Sequence, residues 1–176
     1  MHKTLPSVKD VVSLLHSKSE KDKALVERAY EAAQKAHEGQ KRFSGEPYFI
    51  HVYETAKKLA EIGMDAPTVA AGFLHDSVED KLVTEEAILR DFGEEVLFLV
   101  RGVTNLGKLR YQGLERHVES LRKLFIATAQ DVRVLIIRLA DRLHNAKTLG
   151  GHASEEKRKR IAIETLEIFV PLADRL

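Results

Sequence analysis

Three stretches of the chain gather side chains that bind cations. The first holds His51, the second is His75-Asp76 followed by Glu79-Asp80, and the third is Asp141 with His144 and Asn145. On a helix, residues i and i+4 share a face, so His75 is expected over Glu79 and Asp76 over Asp80. One helix end then offers an imidazole and a carboxylate to a single ion and holds two more carboxylates a turn further on. Asp141, Asn145 and Thr148 make a second polar stripe at i, i+4, i+7, after the strongly apolar run from Val132 to Leu139. Imidazole and carboxylate ligands without sulfur suit a borderline or hard divalent ion, with manganese, iron, zinc or magnesium as candidates. An ion held by few protein ligands lowers the pKa of a bound water and polarises a phosphoryl oxygen, and a nearby carboxylate can orient that water or take its proton.

Taken singly, each part has a plainer explanation. A lone His such as His51 is more often structural than a ligand, a His-Asp pair is common by chance, and Glu79-Asp80 could end a helix in solvent. The combination weighs the other way. Helix dipoles disfavour carboxylates at a C-terminal end, yet this acidic cluster directly follows the apolar run Val69 to Leu74. Local stability does not explain it, and a neighbouring cation does.

The elements that must bring these stretches together read as helices, because apolar residues recur at helical spacing almost throughout and strand-like alternation is scarce. Helices are expected from Val8 to Lys18, and from Asp22 to Glu38, closed by Gly39. The next starts at Pro47, carries His51 and stops near Gly63. Asp65 caps a further helix with Pro67 in its first turn, which leads through Leu74 into His75-Asp76. Others are expected from Thr84 to Phe92-Gly93, Glu94 to Val100, Arg116 to Ala129, Val132 to Leu149, and from Ser154 onward. The stretches Gly39 to Pro47 and Lys108 to Glu115 read as loops, and Val132 to Leu139 is apolar enough to be a strand instead.

The 176 residues suffice for one all-α domain with a sizeable core. Lys+Arg number 28 against 27 Asp+Glu, a net charge of +1 that argues against an extended nucleic-acid footprint. There is no cysteine, which excludes thiolate metal sites and leaves eight His as the only soft nitrogen ligands. No apolar run is long enough to span a bilayer and the N-terminus lacks a signal-peptide core. A cytoplasmic enzyme or binding domain, off the membrane, is the expectation. Ile168, Phe169, Val170 and Leu172 carry an apolar face up to the C-terminus, as expected of the N-terminal part of a longer parent protein; the plainer alternative is that this segment packs on the domain itself.

Several blocks together resemble the hydrolase domain of the RelA/SpoT homologues, a branch of the HD superfamily. They are His37-x-Gly-Gln-x-Arg42, Ser44-Gly-Glu-Pro-Tyr-Phe-Ile-His51, Thr68 to Asp80 with its His-Asp-Ser-Val-Glu-Asp ending, Gly102-Val-Thr104, Arg122-Lys123, Asp131-Val-Arg-Val134, Leu139-Ala-Asp-Arg-Leu-His-Asn145 with Thr148, and Glu164 to Leu176. The resemblance runs from about Ala24 to the last residue. It implies the all-helical HD fold, with His51, His75, Asp76 and Asp141 as metal ligands and manganese as the usual ion. It implies that Glu79 and Asp80 position the attacking water and support the transition state, that Arg42 stacks on a guanine base, and that Ser44, Asn145 and Thr148 line the nucleotide site. The reaction implied is hydrolysis of the 3′-pyrophosphate of ppGpp or pppGpp to GDP or GTP and pyrophosphate. The ending Pro171-Leu-Ala-Asp-Arg-Leu176 resembles the junction to a synthetase domain in long members of the family; the alternative is a free-standing small hydrolase.

The residues support this in part. A guanidinium plane suits stacking on a base, and Asn145 and Thr148 share a helix face with Asp141. His37 and His144 read as structural, with His144 positioned to orient Asp141 through a hydrogen bond. The chain departs from the family pattern at Val52 (usually Pro), Phe43 (often basic or small), Lys81 (commonly Thr) and Asn105 (commonly Lys). None of these removes a ligand or catalytic carboxylate, while Phe43 and Asn105 bear on phosphate affinity. Two other readings stay open: an HD phosphohydrolase of another nucleotide, such as NADPH or a deoxynucleoside triphosphate, and a non-catalytic helical module that binds a nucleotide or a protein.

Overall fold

Ser7 caps the first helix, α1 (Val8–Leu14), its hydroxyl oxygen accepting from the Lys9 N–H. A computed structural model describes residues 5–107, 130–151 and 154–176 of the chain. The helix α1 stops short of Lys18, because Leu15 leaves the helical backbone and buries its side chain. The next helix, α2 (Glu20–Ala36), opens with Glu20 and Asp22 in its first turn, where the dipole favours acids, and buries Val26, Ala29 and Ala33 along one face.

The helices α3 (Phe49–Glu61) and α4 (Ala66–Leu74) form the centre. The Asp65 carboxylate caps α4 by accepting from the Thr68 N–H at 2.9 Å, with Pro67 in the first turn as expected. Small residues let the two helices approach closely. A Cβ on Gly72 would stand 2.5 Å from Leu59 Cδ1 and 3.2 Å from Ala56 Cα, so α4 needs glycine there to seat against α3. The helical repeat expected to continue through Asp80 ends at Leu74. From His75 the chain runs in turns, with Asp80 N–H still bonding Asp76 O at 3.0 Å, and closes at Lys81 in the left-handed region (φ 57).

Thr84 caps α5 (Glu85–Phe92). The following helix, α6 (Glu94–Gly107), runs past the expected end at Val100, because Leu99, Val100, Val103 and Thr104 continue its buried face. The expected loop Lys108 to Glu115 and helix Arg116 to Ala129 lie outside the described residues. The run after Asp131 is helical and not a strand: α7 (Val132–Lys147) is capped by the Asp131 carboxylate and buries Val134, Leu135, Ile137, Ala140 and Asp141. Ser154 caps α8 (Glu155–Glu164), which passes through a π-helical turn at Thr165–Phe169 into a last short stretch, Val170–Ala173.

The architecture is all-α as expected; the described residues contain no strand, only an isolated bridge between Lys41 and Pro47 that closes the loop before α3. No helix among them is long and apolar enough to cross a membrane. Because α3 packs on both α4 and α7, the three chemistry-bearing stretches meet at one place.

Candidate active site

His51 sits in the first turn of α3, His75 and Asp76 follow the end of α4, and Asp141 lies inside α7. His51 Nε2 is 3.5 Å from Asp76 Oδ2 and 3.3 Å from Asp141 Oδ1, while His75 Nε2 is 3.2 Å from Asp76 Oδ1 and 3.9 Å from Asp141 Oδ1. The ligand atoms of His51, His75 and Asp141 all lie within 4.8 Å of one another, and all three residues are buried. Asp76 is 17% exposed and forms the open side of the group.

The donor set fits a divalent cation. His75 Nδ1 donates to the Gly72 carbonyl at 2.8 Å, which aims Nε2 at the carboxylates, and that nitrogen is buried without a hydrogen-bond partner. An unsatisfied buried polar atom costs about 1–3 kcal/mol, so it calls for a proton or a metal. Negative charge favours either one. Burial alone pushes the His75 imidazole down, but Asp76 and Asp141 reverse this and raise it to about 9. Against the same burial, His75 and His51 hold Asp76 well below the usual carboxylate range, and Arg138 with the two imidazoles does so for Asp141.

A ring of hydrogen bonds orients these side chains. Tyr48 donates its hydroxyl to Asp76 Oδ2 at 2.7 Å, Asn145 Nδ2 donates to Asp141 Oδ1 at 2.5 Å, and Arg138 Nη1 donates to Asp141 Oδ2 at 2.7 Å. The expected role of His144 in orienting Asp141 therefore falls to Asn145 and Arg138. His144 instead faces His51 and Arg42, its Nδ1 standing 2.8 Å from His51 Nδ1 and 2.9 Å from Arg42 Nη1.

His51, Asp76 and Asp141 line a cavity of about 380 Å³, with His75 buried behind them. Glu79 and Asp80 line it beside Asp76, and burial together with the Asp76 charge pushes both carboxyls up, with Arg138 partly opposing this at Glu79. Lys41, Arg42, Arg138, Arg142, Lys157 and Arg160 also line it, a cationic wall facing an acidic floor. Cations in this number suit a ligand with several phosphate charges. Asn145 lines the cavity as well. Ser44 and Thr148 do not: Ser44 packs against Gly151, and the Thr148 hydroxyl donates to the His144 carbonyl at 2.9 Å. Phe43 is 71% exposed at the rim, with the Lys157 ammonium 4.8 Å over its ring.

Sequence reasoning passed over Tyr48, although it stands in a matched block three residues before His51. It also passed over Arg138 and Arg142, whose signal was two cations interrupting the apolar α7, and over Lys157 and Arg160 on α8, where a charged run reads as a solvated face.

Residues 29–176 match the family model described as HD domain, and the chain belongs to that family. Over 151 residues it is 52% identical to the guanosine-3′,5′-bis(diphosphate) 3′-pyrophosphohydrolase of Aquifex aeolicus, covering 86% of this chain and 21% of that protein. It is 48% identical over 159 residues to the GTP pyrophosphokinase of Myxococcus xanthus, covering 88% of this chain and 21% of the relative. The chain thus spans about a fifth of the length of these curated relatives. Among solved structures it is similar to a metazoan ortholog of SpoT described as hydrolyzing ppGpp, with a TM-score of 0.63 and 27% identity over 89% of this chain and 81% of that one.

Proposed function

We propose that this domain hydrolyses the 3′-pyrophosphate of ppGpp and pppGpp, giving GDP or GTP and pyrophosphate, with manganese as its ion and the cytoplasm as its compartment. The observation that carries the reading is the convergence of His51, His75, Asp76 and Asp141 beneath a cavity walled by cations. The hydrolase activity named for the Aquifex relative and for the metazoan SpoT ortholog supports the choice of substrate.

His51, His75, Asp76 and Asp141 would hold the ion, which supplies Lewis-acid polarisation of a phosphoryl oxygen and a more acidic water. The raised carboxyls of Glu79 and Asp80 are suited to accept the proton of the attacking water and to pass one to the departing 3′-oxygen. Water adds to phosphorus as the bond to the ribose 3′-oxygen breaks. The basic side chains offset the charge on the leaving and transferred groups. Arg42 stacks on guanine and Asn145 contacts the nucleotide while bracing Asp141; Ser44 and Thr148 are assigned to the nucleotide site by the resemblance alone, since neither lines the cavity.

The direct discriminant is substrate choice. The domain loaded with Mn²⁺ should consume ppGpp and leave NADPH and deoxynucleoside triphosphates largely intact when all are supplied at equal concentration. Preferential consumption of NADPH or a deoxynucleotide assigns the site to another HD phosphohydrolase reaction, and consumption of none assigns the fold to a binding module.

A further inference from the structure

We infer that His144 is a positioning residue that fixes the proton of His51 on Nδ1 and links the loop arginine to the metal ligands; the inference rests on reading His51 as a ligand. A guanidinium has only donors. Arg42 Nη1 stands 2.9 Å from His144 Nδ1, so that nitrogen must accept and carries no hydrogen. His51 Nδ1 stands 2.8 Å from the same atom, a separation that two bare nitrogens do not adopt. His51 Nδ1 therefore donates, and the single in-plane lone pair of His144 Nδ1 is shared between two donors.

The consequence lies at the other side of the His51 ring. A proton held on Nδ1 leaves Nε2 as the coordinating nitrogen, and it is this atom that stands 3.3 Å from Asp141 and 3.5 Å from Asp76. His75 reaches the same state through the Gly72 carbonyl, a fixed backbone acceptor. His51 depends instead on a half-buried side chain that also grips the loop carrying Arg42. A second bridge runs in parallel: Arg42 Nη2 donates to Asn145 Oδ1 at 2.6 Å, and Asn145 Nδ2 donates to Asp141 Oδ1. A nucleotide drawing on Arg42 and a cation at His51 and Asp141 thus act on one hydrogen-bonded unit, and each should tighten the other by the same factor.

The test uses the chain with ¹⁵N-labelled histidine and its His144→Ala and His144→Asn variants; Asn places an acceptor oxygen where Nδ1 stood. Imidazole ¹H–¹⁵N spectra at neutral pH should show His51 protonated at Nδ1 and His144 unprotonated at Nδ1. Calorimetric Mn²⁺ affinity should fall about tenfold or more in His144→Ala, the usual scale for an outer-shell partner, and recover in large part in His144→Asn, with helical CD alike in all three. A His51 proton on Nε2 alone, a protonated His144 Nδ1, unchanged affinity in His144→Ala, or no recovery in His144→Asn would overturn the inference. If the unmutated chain binds no Mn²⁺, the metal reading of His51 fails, and the spectra still decide where the protons sit.

Discussion

At the scale of single residues, side chains proposed to bind differ from those proposed to react. Glu79 is not proposed as a ligand and its carboxyl is pushed up by burial and Asp76, so it suits proton transfer. Glu79→Gln should retain Mn²⁺ and nucleotide while slowing turnover by roughly a hundredfold or more; turnover close to normal at saturating substrate would reduce Glu79 to a bystander. Arg42 should act in binding. Hydrogen bonds to a guanidinium lie in its plane, so His144 and Asn145 fix that plane without using its faces. Arg42→Ala should raise KM about tenfold, equivalent to about 1–2 kcal/mol of stacking. Arg42→Lys should recover only part of this and narrow the preference for guanine over adenine alarmones, since an ammonium has no plane. Full rescue by Lys with unchanged base preference would leave only charge attraction. Metal binding should also depend on pH. With the His75 imidazole raised to about 9, a proton occupies the site below that pH and must leave when the ion enters. Mn²⁺ affinity should therefore strengthen between pH 6.5 and 8, by up to about tenfold per unit with one proton released per ion. Titrations in buffers of different ionisation enthalpy measure that proton count, and a flat profile would contradict the coupling.

At the scale of elements, the site depends on how closely α3 and α4 meet. Gly72→Val would drive its branched side chain into Leu59 and the Ala56 backbone, and overpacking of this kind costs about 1–3 kcal/mol. Thermal melting should shift down by several degrees, since about 1 kcal/mol moves a chain of this size by about 2–4 °C. Mn²⁺ affinity should fall with it, because α3 and the end of α4 both carry ligands; an unchanged Tm would show that the interface relaxes. Much of this layer was legible in the sequence. Asp65, Thr84 and Ser154 announce helix starts that the structure places where expected. The errors have physical causes. The i, i+4 pattern of acids after Leu74 suits a helix, but turns place Asp76 and Asp80 on one cavity equally well. The apolar run at Val132 fits either period, and the Asp131 cap with a buried face ending in Asp141 marks it as helix. The partner of His144 was not legible, since His51 lies 93 residues away and no local spacing encodes that meeting.

At the scale of the whole molecule, the core is apolar and draws on most of the helices. Apolar side chains from Val11 to Ile168 form one buried cluster spanning the helices, and none of His51, His75, Asp76 and Asp141 belongs to it. Chelation should lower Tm by a modest, concentration-dependent amount set by mass action and leave helical CD intact; loss of helicity on chelation would show that the metal is structural. The central claim is that the cavity releases pyrophosphate from ppGpp through the ion held by His51, His75, Asp76 and Asp141. The most direct measurement incubates the chain with ppGpp and Mn²⁺, with and without chelator, and separates the products. His75→Ala and Asp141→Ala are run alongside, with bound metal quantified. The account predicts GDP and pyrophosphate in equal amounts from the unmutated chain, none under chelation, recovery on returning Mn²⁺, and loss of both metal and activity in the two variants. Product formation that survives chelation, or stoichiometric metal retained in both variants, would contradict it.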